Sequence, residues 1–534
     1  GAITVSASRN INTDIIAGGR TCADGINYNV TSISETGVTI SSAVASGCLK
    51  SGDEVIIMNM QGTTTDYGSV GKYEFKRISS VSGTNVYFPE GLVNTYGNGS
   101  GNTNIGTSGT NQRVILQRVP NYTNVTVNSG GILTANAWNG QRGGVLAFRV
   151  NGNLVLNGTG RVDMTGTGYR GGPRITTSYF YGQQTWNGNS GESLCGVYPP
   201  YANLPSGGVD WTYLNTITQG FCGGGRGERA DGSAGIGSVI GGAGGGGAGN
   251  FGGWRDDSGM GGGGGAGYGS GGQGGCAYTE CTMRGDNGSV TKSGNGGQAY
   301  FAYSNNIHYG GGGGGGGLYG NPQLTNIYLG SGGGAGGGMS ASTSEYSGAG
   351  GRGGGIVFLS ANSISIASTA SIISNGVAGE GPLNLGGNNH RWAPGGSGSG
   401  GSIKILVSNI STNRIFAQGA PAGVWNSAFA GNGRIAIYYS DSQSVISSPA
   451  AYTEVFTPLA NVSMKDGVKI TGSMIAFGSD ADTAVANKRT LGLRYSAQYP
   501  IVVVHYMNKY SELAKHVFGG SFDAFKKEVG FKPL

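Results

Sequence analysis

Six cysteines are the residues best able to form covalent cross-links in this chain of 534 residues. They occur as three local pairs, Cys22 with Cys48, Cys195 with Cys222, and Cys276 with Cys281. An even number of cysteines in local pairs predicts three disulfides in an oxidising compartment, with buried free cysteines as the alternative. A zinc site is disfavoured because the four histidines are scattered along the chain. Gly1 is expected to be either the product of cleavage or what remains after removal of Met, and we favour a protein that is exported or assembled outside the cell.

Carboxylate pairs are the second set of residues that could do chemistry, because glycoside hydrolysis uses two carboxylates about 5–10 Å apart. The candidates are Asp53 with Glu54, Asp256 with Asp257, and Asp163. Adjacent residues on a strand point to opposite faces, so Asp53 and Glu54 are expected to diverge. Asp256–Asp257 is interpreted as a turn, and no convincing catalytic motif accompanies any candidate. The sequence therefore predicts a non-enzymatic protein with no catalytic residue, cofactor or metal site, and a polysaccharide-degrading spike is the minor alternative.

Composition limits the class of protein. Glycine accounts for 112 of the 534 residues, and charged residues make up only 11%. Collagen is excluded because glycine does not occupy every third position and only 14 prolines are present. The net charge of +6 includes no Lys/Arg-rich run of the kind that nucleic-acid binding usually requires. No apolar run approaches the roughly 18–20 residues that a membrane helix needs, so we expect neither a nucleic-acid partner nor a membrane span.

The elements that would position these residues are mainly β-strands. Residues 1–120 contain short segments such as Glu54–Met60 and Arg113–Val119, several of them alternating and all separated by turn residues. These predict an N-terminal β-sandwich or β-barrel-like domain. Residues 441–534 predict a linker and a small α+β C-terminal module, with short helices at 510–518 and 521–529.

An internal repeat occupies residues 121–440. Its clear copies are residues 143–168, 354–379 and 400–423, with a weaker copy from Tyr122 and a last strand at Arg434–Tyr439. Each clear copy opens with Gly-Gly, continues with an apolar-rich strand and turns at an Asn-containing corner. A period of roughly 24–26 residues built from short strands predicts a β-solenoid-like body, in which successive coils stack on one another.

A glycine-rich insertion at about 221–353 interrupts this body, with glycine runs such as 261–265 and 310–317. A flexible linker is one interpretation, but cysteines and large aromatic residues are interspersed among the glycines. We therefore favour an ordered, polyglycine-II-like packing, in which helices with three residues per turn pair laterally through their backbones. Disulfides would help to fix such a layer, because it buries little apolar surface to offset the ordering of glycine.

Residues 110–440 resemble glycine-rich surface proteins of bacteria and of phage tail-fibre genes. The segments that carry the resemblance include GGVLAFR at 143–149, GGGIVFLS at 353–360, GGSIKI at 400–405 and GRIAIYY at 433–439. Residues 459–474, LANVSMKDGVKITGSM, are similar to a segment common near the ends of phage tail fibres. The resemblance to these appendage proteins and polyglycine-bearing adhesins implies an extracellular, non-catalytic role in adhesion or in appendage structure.

Exposed aromatic residues on rigid loops can stack on sugar rings or bury in a protein partner. The candidates for surface recognition are Trp186, Tyr201, Trp211 and Trp254. We therefore predict an extracellular adhesin or receptor-binding fibre component that binds a cell-surface glycan or protein receptor through loops. The alternative is a self-assembling subunit of a filament or sheath, whose partners are copies of itself.

Overall fold

The structure, a computed structural model, describes residues 1–63, 65–174, 191–196, 319–335, 348–381, 395–421 and 430–455, and the backbone of three further short strand pairs. Within these ranges the protein consists of β-strands and loops, with no helix. The prediction of a mainly β protein is confirmed. The same ranges accordingly contain no helix long and apolar enough to span a bilayer. The helices predicted at 510–518 and 521–529 lie outside the described residues.

The strands are numbered in chain order. They are β1 (Ile3–Val5), β2 (Ser8–Asn10), β3 (Asn27–Ile33), β4 (Gly37–Ile40), β5 (Glu54–Gln61), β6 (Tyr73–Arg77), β7 (Ser80–Ser82), β8 (Asn85–Tyr87), β9 (Arg113–Arg118), β10 (Asn121–Tyr122), β11 (Val125–Val127), β12 (Ile132–Thr134), β13 (Val145–Leu156), β14 (Arg161–Asp163), β15 (Phe301–Ala302), β16 (Ile307–His308), β17 (Glu345–Tyr346), β18 (Ile356–Ile366), β19 (Ser371–Ile373), β20 (Leu383–Asn384), β21 (Ser402–Phe416), β22 (Arg434–Ser448), β23 (Tyr452–Val455), β24 (Val462–Ser463) and β25 (Lys469–Ile470). Three pairs, β15–β16, β17–β20 and β24–β25, are separate two-stranded sheets.

A 12-stranded sheet brings together the copies of the internal repeat. The long strands β13, β18, β21 and β22 pair in parallel in this order. Their register aligns Val145 with Ile356, Ile356 with Ser402, and Ser402 with Arg434. In the same sheet, β2, β12, β14 and β19 pair in parallel in this order, and β19 pairs with the end of β21. Strands that are equivalent in the repeat are therefore neighbours in the sheet.

The interior of this parallel stack is filled by aligned apolar side chains. Because side chains alternate along a strand, every second residue of each long strand points inward. Register positions with fully buried side chains include the sets Leu146, Val357, Ile403 and Ile435, and Phe148, Leu359, Ile405 and Ile437. All of them belong to one contiguous core cluster. Burying each such side chain contributes about 1.5–3 kcal/mol to folding.

Residues 27–118 form a second, seven-stranded sheet that is nearly closed into a barrel. Its strands are antiparallel and follow the order β6-β5-β9-β3-β4-β8-β7. The core of this small sheet contains Val30, Ile57, Val86, Tyr96 and Leu116. It is separate from the core of the parallel stack.

The small sheet packs against the outer side of the long parallel strands. Phe75 on β6 lies against Phe358 on β18, with ring centroids 4.7 Å apart. The guanidinium of Arg149 on β13 lies 4.8 Å above the Phe75 ring and is also bonded to Glu54 on β5. Lys404 on β21 donates to the hydroxyl of Tyr73 at 2.9 Å. Aromatic and charged contacts thus join the two sheets within one compact unit, residues 1–453.

The parallel stack takes its strands from separate parts of the chain. β1 and β2 pair with β11 and β12 in the parallel stack, while the small sheet begins at Asn27. Position 440, the predicted end of the body, falls inside β22. Residues 454–534 form a second compact unit, in which the structure describes the backbone pair β24–β25.

Candidate functional site

The predicted carboxylate candidates are held by arginines. The Asp53 carboxylate is bonded to Arg20, and Glu54 on the other side of the strand accepts Arg149 Nε at 2.8 Å. Asp163 lies 3.6 Å from Arg161. The ion pairs of Asp53 and Glu54 therefore join distant segments of the fold, whereas Asp163 pairs with a residue of its own strand, β14. Asp256 and Asp257 lie outside the described residues.

The disulfide predicted between Cys22 and Cys48 is present, with the two Cα atoms 5.2 Å apart. It links the loop after β2 to the loop between β4 and β5. Cys195 is also disulfide-bonded. The other members of the predicted pairs, Cys222, Cys276 and Cys281, lie outside the described residues. In the ranges that the structure covers, no group of three His, Cys, Asp or Glu side chains could hold a metal ion.

The aromatic residues predicted to recognise a receptor, Trp186, Tyr201, Trp211 and Trp254, lie outside the described residues. Trp138, which is described, is 1% exposed and packs edge-on against Tyr169 with ring centroids 6.1 Å apart. The Tyr169 hydroxyl donates to the backbone carbonyl of Met60 in the small sheet. These two aromatic residues therefore belong to the packed interior and contribute no recognition surface.

Beside the strands lies a layer of extended, glycine-rich chain, which we call the glycine layer. It consists of the segments 168–172, 191–192, 330–335, 349–355, 374–380, 395–401, 417–420 and 430–433, which are joined side by side by backbone hydrogen bonds. In segment 349–355, Gly350 and Gly353 donate to the carbonyls of Gly172 and Tyr169, each at 2.9 Å. The spacing of these two donors is three residues, and both reach the same neighbouring segment.

The intervening residues of segment 349–355 bond to other neighbours. Gly351 and Gly354 donate to Gly396 and Ser399 of segment 395–401, each at 2.8 Å. Ala349 and Arg352 accept from Glu380 and Val377 of segment 374–380, at 2.8 and 2.9 Å. Segment 330–335 is a fourth neighbour, because Gly330 and Gly333 donate to the carbonyls of Gly354 and Gly351. Each of the four neighbours is therefore contacted at every third residue of segment 349–355.

Close approach of the backbones explains why these positions need glycine. A Cβ atom added to Gly353 would lie 1.9 Å from the carbonyl oxygen of Gly330, and one added to Gly171 would lie 1.9 Å from that of Gly350. Both atoms that would be struck belong to backbone, which cannot rotate away as a flexible side chain can. Glycine is required at both positions because a side chain would not fit between the backbones. Neither residue has the positive φ that would by itself favour glycine.

Four chain connections leave the glycine layer where its segments meet. They are residues 175–190, 336–347, 382–394 and 422–429. The residues that flank them are hydrogen-bonded to one another: Gly172 to Gly350, Gly334 to Gly396, Glu380 to Gly395, and Ala420 to Ala430. The bases of the four connections are therefore adjacent, at one end of the layer.

Two further contacts join neighbouring connections at this end. Arg174 donates through Nη2 to the Glu380 carboxylate, which links the base of connection 175–190 to that of 382–394. The backbone pair β17–β20 joins connection 336–347 to connection 382–394. This end of the glycine layer is the candidate functional site, because the residues at which several connections begin and end are hydrogen-bonded to one another there.

Comparisons with protein-family models, with curated proteins and with solved structures find no match to this chain.

A buried carboxylate, which no sequence pattern indicated, attaches the glycine layer to the small sheet. Glu192 is 2% exposed and accepts hydrogen bonds from Arg170 Nε at 2.9 Å and from Gln61 Nε2 at 3.0 Å. The hydrogen bond with Glu192 raises the pKa of Arg170. Gly62 adds a backbone hydrogen bond to Leu194 at 2.8 Å. A lone glutamate in a glycine-rich stretch resembles any solvated acidic residue, so only the fold distinguishes it.

Proposed function

We propose that this protein is an extracellular, non-enzymatic binding protein, an adhesin or receptor-binding fibre component, that presents loops on a rigid glycine-rich scaffold. The observation that carries the proposal is the clustering of four connections at one end of a layer whose segments are hydrogen-bonded side by side. Recognition residues are found disproportionately on loops held by rigid scaffolds. A base ordered in advance lowers the entropy that binding must overcome.

The scaffold in this proposal is a β-solenoid-like body with a polyglycine-II-like insertion. Parallel strands stacked in repeat order are what a solenoid requires. Hydrogen bonds that return to the same neighbour at every third residue agree with helices of three residues per turn. We propose that the glycine runs of residues 221–353 extend this layer, and that residues 441–534 form a linker and a small α+β module.

The proposed partner is a cell-surface glycan or a protein receptor. Trp186 belongs to the connection 175–190, and Tyr201, Trp211 and Trp254 belong to residues 197–318. An extracellular location is supported by the disulfides, which persist in oxidising compartments. The resemblance to glycine-rich appendage proteins and tail-fibre adhesins supports the same role.

Binding of the full-length protein to a panel of whole bacterial and eukaryotic cells tests this proposal. Each of the four connections is replaced in turn by a Gly-Ser chain of equal length. A control variant carries Ser41→Gly and Ser42→Gly, two exposed positions directly after β4. We expect at least one connection variant to lose binding to a cell type that the wild type binds, with its thermal unfolding and the control unchanged. If all four variants still bind the cells, the four connections do not carry the binding that we propose.

A self-assembling filament subunit is the second candidate, and one observation favours it. Among the described strands, β1 pairs only with β11 and β2 only with β12, so the first coil leaves one side of each strand unpaired. Such edges can pair with another chain. Regular fibres of purified protein in negative stain would support assembly, and a monomer at every concentration in sedimentation velocity would exclude it.

A further inference from the structure

Three arginines, the buried Arg113, the half-buried Arg352 and the exposed Arg170, lie near the turn 138–142 beside the glycine layer. Arg352 donates through Nη2 to the carbonyl of Trp138 at 2.5 Å. Arg170 lies over Gly140, where an added Cβ would be 2.7 Å from its Nη2 atom. Arg113 on β9 donates through Nη1 to the carbonyl of Gly106 at 3.2 Å. The next carbonyl in that loop, of Thr107, accepts Nε2 of Gln141 in the turn at 3.5 Å. Arg142, which is exposed, lies on the turn itself.

These four residues, Arg113, Arg142, Arg170 and Arg352, are named the arginine cluster. Within the described ranges, Glu192 is the one carboxylate that acts electrostatically on Arg113, Arg170 and Arg352. Its two oxygens are already occupied by Arg170 and by Gln61. Among the residues that the structure describes, one negative charge therefore faces three guanidinium groups, and Arg142 carries a fourth positive charge on the turn.

The arginine side chains lie close together despite the repulsion between their positive charges. Burial, and then the charge of Arg170, lower the pKa values of Arg113 and Arg352. Arg113 is 9% exposed, and its Nε atom has no hydrogen-bond partner among the described residues. A buried donor without a partner is unfavourable unless a ligand satisfies it. The side chain of Arg170 is 44% exposed, so the cluster is open to solvent.

We propose that the arginine cluster binds an oxyanion, the carboxylate or phosphate group of an acidic cell-surface glycan. Planar guanidinium groups match carboxylate and phosphate oxygens in charge and in geometry. The identification of the ligand as part of a surface glycan rests on the proposed function. The oxyanion site itself does not depend on it.

Isothermal titration calorimetry of the full-length protein tests the site with three probes: inorganic phosphate, sodium glucuronate and neutral glucose. We expect phosphate, glucuronate or both to bind with a Kd on the order of 1 mM, weakening as salt is added, and glucose not to bind. Arg142→Gln should weaken binding about threefold. Arg170→Lys should weaken binding about tenfold, because lysine cannot make the two hydrogen bonds to Glu192 that hold the charge of Arg170 in the cluster. Arg161→Gln is the matched control, because the Arg161 side chain is 43% exposed on the parallel stack.

Each outcome decides the proposal. Binding of phosphate alone identifies a phosphate-bearing glycan, and binding of glucuronate alone identifies a uronate. If neither anion binds, or if the wild type and Arg142→Gln bind equally well, the oxyanion site is refuted. The Arg142→Gln variant allows this test even if Arg170→Lys does not fold. The cell-binding experiment is independent: cell binding without anion binding refutes only the arginine cluster, whereas anion binding without cell binding refutes only the proposed function.

Discussion

The backbone of Gly350 lies against the carbonyl of Gly333, so close that a Cβ on Gly350 would be 1.9 Å from the Gly333 oxygen. Gly350 is also fixed from its other side, since its N–H donates to Gly172 at 2.9 Å. The two contacts belong to different neighbouring segments. A residue in this position can therefore move away from one segment only by moving into another.

Gly350→Ala should consequently lower the free energy of unfolding by about 3 kcal/mol, at the upper end of the range for overpacking. The matched control is Gly109→Ala, because a Cβ at Gly109 would meet nothing within 4 Å and the residue has no positive φ. Urea unfolding midpoints of the two variants measure the difference. An alanine at position 350 that behaves like the alanine at 109 would show that the segments are not packed as described.

The ion pair between Glu54 and Arg149 fastens the small sheet to the parallel stack. Glu54 is 8% exposed, and its carboxylate oxygens lie 2.7–2.8 Å from Arg149 nitrogens. Glu54→Gln should cost about 2–3 kcal/mol of unfolding free energy, somewhat below the range for a fully buried pair because the Arg149 side chain is 29% exposed.

The control for this ion pair is Glu35→Gln, an exposed position that should change stability by less than about 0.5 kcal/mol. The double variant Glu54→Gln/Arg149→Gln should lose less than the sum of the two single variants, because contacting residues are not additive. Strict additivity in chemical denaturation would mean that the two side chains do not interact.

The internal repeat predicted much of the strand pairing. Aligning its copies on their Gly-Gly pairs places Val145, Ile356 and Ser402 at equivalent positions, which is the observed register. The pairing follows from the sequence because each strand has a period-two pattern with a buried face, and a shift by one residue would expose that face. The predicted segments Glu54–Met60 and Arg113–Val119 likewise coincide with β5 and β9 to within a residue.

The neighbours of each glycine segment could not be predicted. A glycine carries no side chain that would distinguish Gly333 from Gly396 as the partner of a given N–H, so the choice depends on the fold as a whole. The pairing of residues 3–10 with residues 125–134 could not be predicted either, because two strands of three residues are too short to show a pattern that would indicate their partners. The arginine cluster draws its members from β9, the turn 138–142 and two glycine segments, which only the folded chain brings together.

Buried tyrosines should make the protein sensitive to alkali. Burial raises the pKa values of Tyr73, Tyr122, Tyr169 and Tyr319. The folded state then keeps these protons while the unfolded chain releases them above its pKa of about 10, so stability falls as pH rises beyond that value. Each such tyrosine contributes a slope of about 1.4 kcal/mol per pH unit.

Urea unfolding at a series of pH values measures this slope. Tyr169→Phe should reduce the slope by the contribution of one tyrosine. The variant also loses the hydrogen bond to the Met60 carbonyl, which lowers its stability at neutral pH as well. The same slope in Tyr169→Phe and in the wild type would exclude Tyr169 from the alkaline transition.

The Cys22–Cys48 disulfide closes a loop between residues 26 positions apart. A cross-link of this span should stabilise the folded state by about 3 kcal/mol through its effect on the unfolded chain. Cys22→Ser/Cys48→Ala should lose this amount without reductant, with alanine at position 48 because Cys48 is 1% exposed. An unchanged unfolding midpoint in the double variant would show that the bond contributes nothing to stability.

Amide hydrogen exchange should distinguish an ordered glycine layer from a flexible one. The N–H groups of Gly333, Gly351 and Gly354 are each bonded to a neighbouring segment at 2.8–2.9 Å, so their exchange requires segments to separate. We expect exchange at these positions to be slowed by several orders of magnitude relative to Gly18 and Gly19, where the surroundings are open. Because each segment bonds to several others, Gly350→Ala should accelerate exchange in segments 168–172 and 330–335 as well as its own. Complete exchange within seconds throughout the glycine layer of the wild type would mean that these backbones are not held, and the rigid base on which the proposed binding loops depend would not exist.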